Sequence, residues 1–180
     1  MSALFLFGML LLCHSHAILS TSCEEKSDGD CPDAKTVMTL LNRTYMHLSL
    51  IQSPKLQCAY QTFYDTNVYG NKLQRRYNIV FRPRSGKPLD DHMYITNVKK
   101  FTIYLSRRPE FPMSPTQLDI LYSDLRSCIV MRGPYAEDIP KACRLWLTDS
   151  SFANASPECT RGFEKHCGST AFKYNDTGCI

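Results

Sequence analysis

Cysteine placement constrains this chain more than any other feature of its sequence. Five of the nine cysteines lie between Cys128 and Cys179, a stretch that also contains the only tryptophan, Trp146. Two short apolar runs, Cys128–Met131 and Cys143–Leu147, occur within it and are bounded by turn-forming residues. Such runs predict β-strands.

A short helix is predicted after these two strands. Ser156 is an N-cap residue, Pro157 suits the first helical position, and Gly168 favours a stop. A helix of two or three turns is only marginally stable alone. Because this one carries Cys159 and Cys167 at its two ends, we expect disulfides to tie it to a larger unit.

The N-terminus is typical of a secretory signal peptide. An apolar run covers Leu4–Leu12, and Ser15 and Ala17 then follow in the small-x-small spacing of a cleavage site. No lysine or arginine precedes the run, which departs from the usual pattern. The run is much shorter than the ~20 apolar residues of a membrane-spanning helix, and no later segment is long enough. The sequence therefore predicts a signal peptide at residues 1–17, a single domain at residues 18–180, secretion, and no membrane span.

Cleavage would remove Cys13 and leave eight cysteines in an oxidising compartment, which predicts four disulfides. Their pairing stays open, because eight cysteines allow about 105 connectivities. A zinc site is the alternative, but no two cysteines form the short pairs typical of zinc sites. Only three histidines follow the cleavage site, so no metal and no cofactor are expected.

Three Asn-x-Ser/Thr triplets, at Asn42, Asn154 and Asn175, are predicted glycosylation sites.

The formal net charge of +4 is modest and does not indicate nucleic-acid binding. The sequence contains no Gly-x-Ser-x-Gly or His-Glu-x-x-His motif and no glycine-rich phosphate loop. These observations favour a binding protein over an enzyme, and no catalytic residue is predicted.

Most of the remaining chain alternates apolar and polar residues with a period of two. The pattern is clearest where Tyr77, Ile79 and Phe81 alternate with polar neighbours. A short helix is predicted over Asp33–Leu41, before the strands. The order of the predicted helices and strands indicates an all-β fold, which is either an antiparallel barrel or a sandwich. An eight-stranded up-and-down barrel would be wide enough to hold one small ligand. The predicted strands lie near residues 44–51, 56–64, 73–82, 93–98, 101–105, 118–122, 128–131 and 143–147.

The C-terminal motifs resemble those of tick salivary lipocalins, the histamine-binding-protein family. The matching segments are Cys128-Ile-Val, Cys143-Arg-Leu-Trp-Leu, Pro157-x-Cys159, Phe163, Cys167-Gly168 and Cys179, and Asp33-Ala34, Tyr45 and Cys58 agree in order and spacing. The resemblance covers nearly the whole mature chain, and within the family the chain is most similar to japanin-like proteins. It implies an eight-stranded lipocalin barrel with a short N-terminal helix and a C-terminal helix packed outside.

The resemblance also implies two disulfide pairs, Cys58–Cys179 and Cys128–Cys159, of which the second fixes the helix to the barrel. Cys23, Cys31, Cys143 and Cys167 then form two more bonds in an order that stays open. If Cys128 points outward, the period of two directs Ser127, Ile129 and Met131 inward. The same rule directs Arg144 and Trp146 inward, although every apolar residue of this set could simply fill the core. The predicted ligand-binding residues are Met38, Tyr45, Phe63, Tyr77, Ile79, Phe81, Ile103, Ser127, Ile129, Met131, Arg144 and Trp146.

Amine-binding members of the family rely on acidic groups, because a buried ammonium needs a paired charge. Here Arg144 stands two residues before Trp146, where such binders have an acid, and Lys35 replaces their tryptophan after Asp-Ala. Asp119 remains a candidate acid. We therefore expect a sterol such as cholesterol or a fatty acid in the barrel, with Arg144 meeting a carboxylate or hydroxyl.

The expected protein is a monomer, secreted in saliva, that binds this ligand and modulates host immunity. Similarity to japanin-like proteins implies suppression of dendritic-cell maturation, with a host immune-cell receptor as partner. The alternatives are a scavenger of host biogenic amines or eicosanoids, and an inhibitor of a host complement or protease protein that acts through its surface.

Overall fold

The computed structural model describes residues 28–68, 72–108, 115–134 and 142–180. The predicted signal peptide and Cys23 lie outside these residues. The described chain forms three helices and nine strands: α1 (Ala34–Leu40), β1 (Arg43–Ser49), β2 (Leu56–Val68), β3 (Lys72–Pro83), β4 (Leu89–Lys99), β5 (Thr102–Ser106), β6 (Thr116–Ser123), β7 (Cys128–Arg132), β8 (Cys143–Leu147), α2 (Asp149–Phe152), α3 (Pro157–Cys167) and β9 (Phe172–Lys173).

Strands β1 to β8 form a closed antiparallel barrel. Each of β2 to β8 pairs with its neighbours along the chain, β8 pairs with β1, and β1 pairs with β2 through contacts such as Tyr45 opposite Tyr60. Closure leaves neither β2 nor β8 as a free edge, which removes the tendency of exposed edges to pair with other chains. The predicted eight-stranded up-and-down barrel is confirmed.

Helix α1 closes the end of the barrel at which β4 and β5 are joined. The side chain of Asp33 caps it by accepting a hydrogen bond from Thr36 N at 3.0 Å. Ala34 N donates to Lys100 O, in the turn between β4 and β5, at 2.9 Å. Val37 and Met38 of the helix are buried in the same apolar cluster as the barrel interior. The predicted helix is thus present and contributes to the core.

A β-bulge in β1 changes which side chains face inward. The pairing of β1 with β8 shifts register between Met46 and Leu48, and a bulge inserts an extra residue that breaks the period of two. Met46 therefore belongs to the interior cluster, whereas Leu48 packs against the cluster outside the barrel. In an uninterrupted strand both would lie on one face. After the bulge, Ser49 faces the interior and lines a cavity described below.

The extra residue, His47, is buried outside the barrel against Phe152 of α2, with the ring centroids 5.1 Å apart. Its Nδ1 has no hydrogen-bond partner among the described residues. Burial, with a smaller contribution from the charge of Lys173, lowers the pKa of His47 from 6.5 to about 4, although Asp176 acts in the opposite direction. The ring is therefore neutral in the folded protein at neutral pH.

We expect His47 to make the protein less stable in mild acid. Between pH 6.5 and 4 the unfolded chain binds a proton that the folded chain excludes, so the free energy of unfolding falls as the pH falls through this window. The loss should be about 1–2 kcal/mol after allowance for solvent screening. Urea unfolding of wild type and His47→Phe at several pH values would test this, and parallel pH profiles for the two proteins would contradict it.

Helix α3 is fastened to the outside of the barrel at both ends. The Ser156 side chain caps it by accepting from Cys159 N at 3.2 Å, and Gly168, with a positive φ of 96°, ends it. One disulfide joins Cys159 to Cys128 of β7, and another joins Cys167 to Cys143 of β8. A second apolar cluster, which includes Val130, Leu145 and Phe163, fills the space between helix and barrel. The helix packed outside the barrel is confirmed.

The remaining disulfide between described residues joins Cys58 of β2 to Cys179, and Cys31 is also disulfide-bonded. The pairs Cys58–Cys179 and Cys128–Cys159 agree with those that the family resemblance implied. The pair Cys143–Cys167 decides one of the bonds that the sequence had left open.

Two elements were not predicted, α2 and β9, and β9 pairs with β1 at the edge of the sheet. Within the described ranges, no helix is long and apolar enough to cross a membrane.

Candidate ligand-binding site

The barrel interior contains most of the predicted ligand-binding residues. Alternation along β3, β7 and β8 directs them inward, as predicted, and most of them are fully buried. Phe63 and Tyr77, for example, pack with ring centroids 5.2 Å apart. Much of the interior is therefore filled by side chains. The predicted residues in this cluster are Met38, Phe63, Tyr77, Ile79, Ile103, Ile129, Met131 and Trp146, with Phe81 packed against it.

Two residues of the predicted set lie elsewhere. Tyr45 faces outward, in the cluster outside the barrel, with its ring centroid 6.3 Å from that of Tyr60. Ser127 precedes the first residue of β7, so the alternation of that strand does not apply to it. Its hydroxyl bonds to Asp124 and lies 3.5 Å from Cys159 Sγ, on the side of α3. Both were wrongly expected to face the interior.

The turn around Asp124 explains the position of Ser127. Asp124 Oδ1 accepts from Ser127 N at 2.8 Å and from Cys128 N at 3.0 Å. Burial alone would raise the pKa of Asp124, but the hydrogen bonds from Ser127, Arg126 and Cys128 outweigh it and hold that pKa below its usual range. This carboxylate therefore orders the turn that leads into β7.

A chain of hydrogen bonds crosses the filled part of the interior. The Tyr77 hydroxyl donates to Gln61 Oε1 at 2.9 Å, and Gln61 Nε2 donates to Thr44 Oγ1 at 3.1 Å. Burial raises the pKa of Tyr77 well above its usual value, so its hydroxyl stays protonated. Trp146 Nε1 is buried and has no hydrogen-bond partner among the described residues. An unsatisfied buried donor costs about 1–3 kcal/mol.

The open space lies at the end of the barrel opposite α1. We call it the mouth cavity, and its volume is about 210 Å³. It lies where β1 leads into β2 and where β3 leads into β4, and its walls are mostly apolar side chains with a few cations. It is lined by Met46, Ser49, Ile51, Ser53, Lys55, Leu56, Phe81, Pro83, Lys87, Leu89, Arg144 and Tyr174.

Of the predicted ligand-binding residues, only Phe81 and Arg144 line this cavity. Met46 was missed because its neighbour Tyr45 was predicted to face inward, and successive side chains of a strand face opposite sides. Tyr174 was missed because it reaches the barrel only through the C-terminal tail, which pairs with β1. Leu56 and Leu89 could have been predicted from the sequence. Each is the first residue of a strand that pairs with β3, and Leu89 lies directly opposite Phe81, which was predicted.

Arg144 supplies a buried positive charge to the mouth cavity. It is 3 % exposed, and its Nη1 donates to Gly133 O at 3.2 Å. Its Cζ lies 5.6 Å from the centroid of the Phe81 ring. Burial lowers the pKa of Arg144, against the opposing effects of Tyr77 and Tyr174, but an arginine stays charged in proteins.

The rim of the cavity adds two exposed cations, Lys55 and Lys87, and no carboxylate is among its described lining residues. The candidate acid Asp119 accepts a hydrogen bond from Thr102 Oγ1 at 2.8 Å and alternates with the interior residues Leu118 and Ile120, so it faces outward. Its predicted role as an acid inside the barrel is wrong.

Asp91 of β4 lies two residues before the interior residue Met93, so it is on the inward-facing side of the strand. Both of its oxygens accept from Arg107, at 2.9 and 3.2 Å, so its charge is already balanced. The cavity therefore presents positive charge to a ligand. An ammonium ligand would find no opposing charge on the described walls.

Comparison with known proteins identifies the family. The family model described as "Tick histamine binding protein" matches residues 24–179. The chain belongs to this family. No curated protein sequence matches the chain significantly. The membership agrees with the resemblance seen in the cysteine and tryptophan motifs.

Three solved structures resemble this member of the histamine-binding-protein family in fold. The cockroach allergen Per a 4 has a TM-score of 0.56 and 9 % sequence identity, covering 88 % of this chain and 99 % of that one. Japanin from Rhipicephalus appendiculatus, bound to cholesterol, has a TM-score of 0.47 and 12 % identity, covering 76 % and 94 %. The siderocalin Ex-FABP has a TM-score of 0.46 and 12 % identity, covering 70 % and 83 %.

Proposed function

We propose that this protein binds an apolar ligand with an oxygen-bearing polar end, a fatty acid or a sterol such as cholesterol, in its barrel. The mouth cavity carries the proposal, because apolar walls meet the buried guanidinium of Arg144 there. Small-molecule sites are typically apolar pockets with a few well-placed polar groups. A carboxylate suits Arg144 best, since it carries the opposite charge and can accept two parallel hydrogen bonds from a guanidinium.

The proposed biological role is modulation of host immunity by suppression of dendritic-cell maturation, after secretion in saliva. The disulfides support secretion, because such bonds form in oxidising compartments. Cleavage after Ala17 is part of the proposal, and N-terminal sequencing of the secreted protein should begin at Ile18. The sequons stay predictions: Asn42, Asn154 and Asn175 are all exposed.

A second candidate is sequestration of a host eicosanoid. An eicosanoid joins an apolar chain to a carboxylate, so the positive charge of the mouth cavity favours it as well. Sequestration of an amine is disfavoured by the same charge. The two candidates differ in whether removing the ligand from host tissue is itself the function.

Lipid analysis of the secreted protein tests the ligand class. Native mass spectrometry followed by solvent extraction should recover a fatty acid or a sterol. Recovery of no lipid, together with tight binding of histamine by the same preparation, would overturn the proposal.

Exposure of host dendritic cells to lipid-free and lipid-loaded protein tests the proposed immune role. Unchanged maturation markers in both cases would reject that role.

Arg144→Met provides a matched control for the polar end of the ligand. Methionine keeps much of the apolar volume and removes the charge. We expect lipid-free wild-type protein to bind laurate at least tenfold more tightly than dodecanol, since only laurate brings a charge that opposes the buried guanidinium and can accept two parallel hydrogen bonds from it. Calorimetric titration should show this preference lost in the variant while dodecanol binding persists. An equal preference in both proteins would mean that Arg144 does not meet the ligand.

A further inference from the structure

A second, smaller cavity adjoins the mouth cavity at the C-terminal tail. We call it the tail pocket, and its volume is about 170 Å³. Ser53, Leu56 and Tyr174 line both spaces, so these residues form the partition between them. The other residues of the tail pocket are Gln52, Pro54, Gln57, Arg84, Phe172, Lys173 and Asn175.

Tyr174 is the part of this partition that comes from the C-terminal tail. Its backbone N donates to His47 O at 2.9 Å, directly after the pairing of β9 with β1. Its hydroxyl accepts from Ser53 N at 2.8 Å and donates to Ile51 O at 3.2 Å. The backbone of Tyr174 is thus held by β1, its hydroxyl by two hydrogen bonds to the connection between β1 and β2, and its ring by packing in the interior apolar cluster.

Each of the two cavities by itself would hold only a short ligand. Sites for drug-sized molecules measure about 300–1,000 Å³. The mouth cavity, at about 210 Å³, and the tail pocket, at about 170 Å³, each fall below that range, whereas the two joined would fall within it. The ligand length that the barrel accepts therefore depends on whether Tyr174 separates them.

We propose that Tyr174 is the specificity-determining residue that limits the length of the apolar ligand in the mouth cavity. The inference rests on the proposed function, since it concerns the same cavity. A ligand that binds with its polar end at Arg144 fills the mouth cavity and stops at the phenol ring. A longer ligand enters the tail pocket only when the ring leaves Ser53 and Ile51.

Titration of lipid-free protein with octanoate, laurate and palmitate tests this, using wild type, Tyr174→Ala and Tyr174→Phe. Each added methylene that is buried should tighten binding about fourfold, which corresponds to about 0.8 kcal/mol. In wild type we expect this gain to cease before palmitate. In Tyr174→Ala it should continue, so that palmitate binds at least tenfold more tightly than to wild type while octanoate changes less than about twofold. Tyr174→Phe keeps the ring without its hydrogen bonds and should lie between the two.

Phe172→Ala is the matched control. Phe172 lies on β9 and lines only the tail pocket, so the variant should keep the wild-type dependence on ligand length. Thermal unfolding would establish that every variant is folded. Equal length dependence in wild type and Tyr174→Ala, or an equal palmitate gain in Phe172→Ala, would overturn the inference while leaving the proposed function intact. A different result would reject the proposed function and this inference with it: neither wild type nor Tyr174→Ala binds any of the three acids, and neither binds the lipid recovered by extraction.

Discussion

Replacing Trp146 with alanine is expected to lower the free energy of unfolding by about 3–5 kcal/mol. Trp146 is fully buried, and it lies opposite Ile129 of β7 and Met46 of β1. Because strands on both sides hold the surrounding side chains in place, the space cannot collapse after the indole is removed. A loss of this size is a large fraction of the ~5–15 kcal/mol that stabilises a typical domain. Urea unfolding of lipid-free protein would measure it.

Trp146→Phe separates packing from the polar group of the indole. The phenyl ring leaves a smaller cavity and also removes an N–H that has no partner among the described residues. Its cost should be about 1–2 kcal/mol. Equal costs for the two variants, or a cost below 1 kcal/mol for Trp146→Ala, would contradict tight packing around this position.

Replacing both Cys58 and Cys179 with serine is the second large effect that we expect. The two cysteines are 121 residues apart, so their bond restricts the unfolded chain more than any other disulfide between described residues. The chain-entropy relation gives a loss of about 4.9 kcal/mol. The C-terminal tail should also detach from β2, and with it the backbone that positions Tyr174.

The double variant Cys128→Ser and Cys159→Ser is the comparison for loop length. That pair is 31 residues apart, for which the same relation gives about 3.7 kcal/mol. Chemical unfolding of both variants would rank the two losses. The reverse order would show that loop entropy is not the dominant contribution. Protease digestion near the C-terminus should be faster only in the variant that lacks Cys58 and Cys179.

The period of two predicted the interior of this barrel well wherever a strand is regular. On β8 it places Arg144 and Trp146 inward and Leu145 outward, because successive side chains of a strand point to opposite faces. It failed on β1, where Tyr45 faces outward and the bulge moves Leu48 to the outer face as well, and at Ser127, which precedes β7. The bulge has no local signal, since it depends on the pairing of β1 with β8. The turn before β7 is local, because Asp124 accepts hydrogen bonds from the backbone of Ser127 and Cys128.

The sequence predicted the positive charge of the candidate site better than it predicted which residues line it. The replacement of an acid by Arg144 indicates positive charge in the pocket, and the structure places that charge on the wall of the mouth cavity. Most of the apolar residues predicted to contact a ligand instead pack against one another. Alternation identifies which side chains face inward, but it cannot say how completely they fill the space. That depends on how the rings and methyl groups of all eight strands fit together.

The sequence by itself determined the class of this protein. Its cysteine motifs, helix caps and strand alternation are local features. They indicate a disulfide-bonded all-β fold, and their resemblance to the histamine-binding-protein family implies a barrel with a helix outside. Only the tertiary structure decided which inward residues leave open space and what encloses it. The wall at the barrel mouth combines residues far apart in the chain, Phe81 from β3, Arg144 from β8 and Tyr174 from the tail. Their approach depends on strand register, the bulge in β1 and the Cys58–Cys179 bond, and these are properties of the folded chain as a whole.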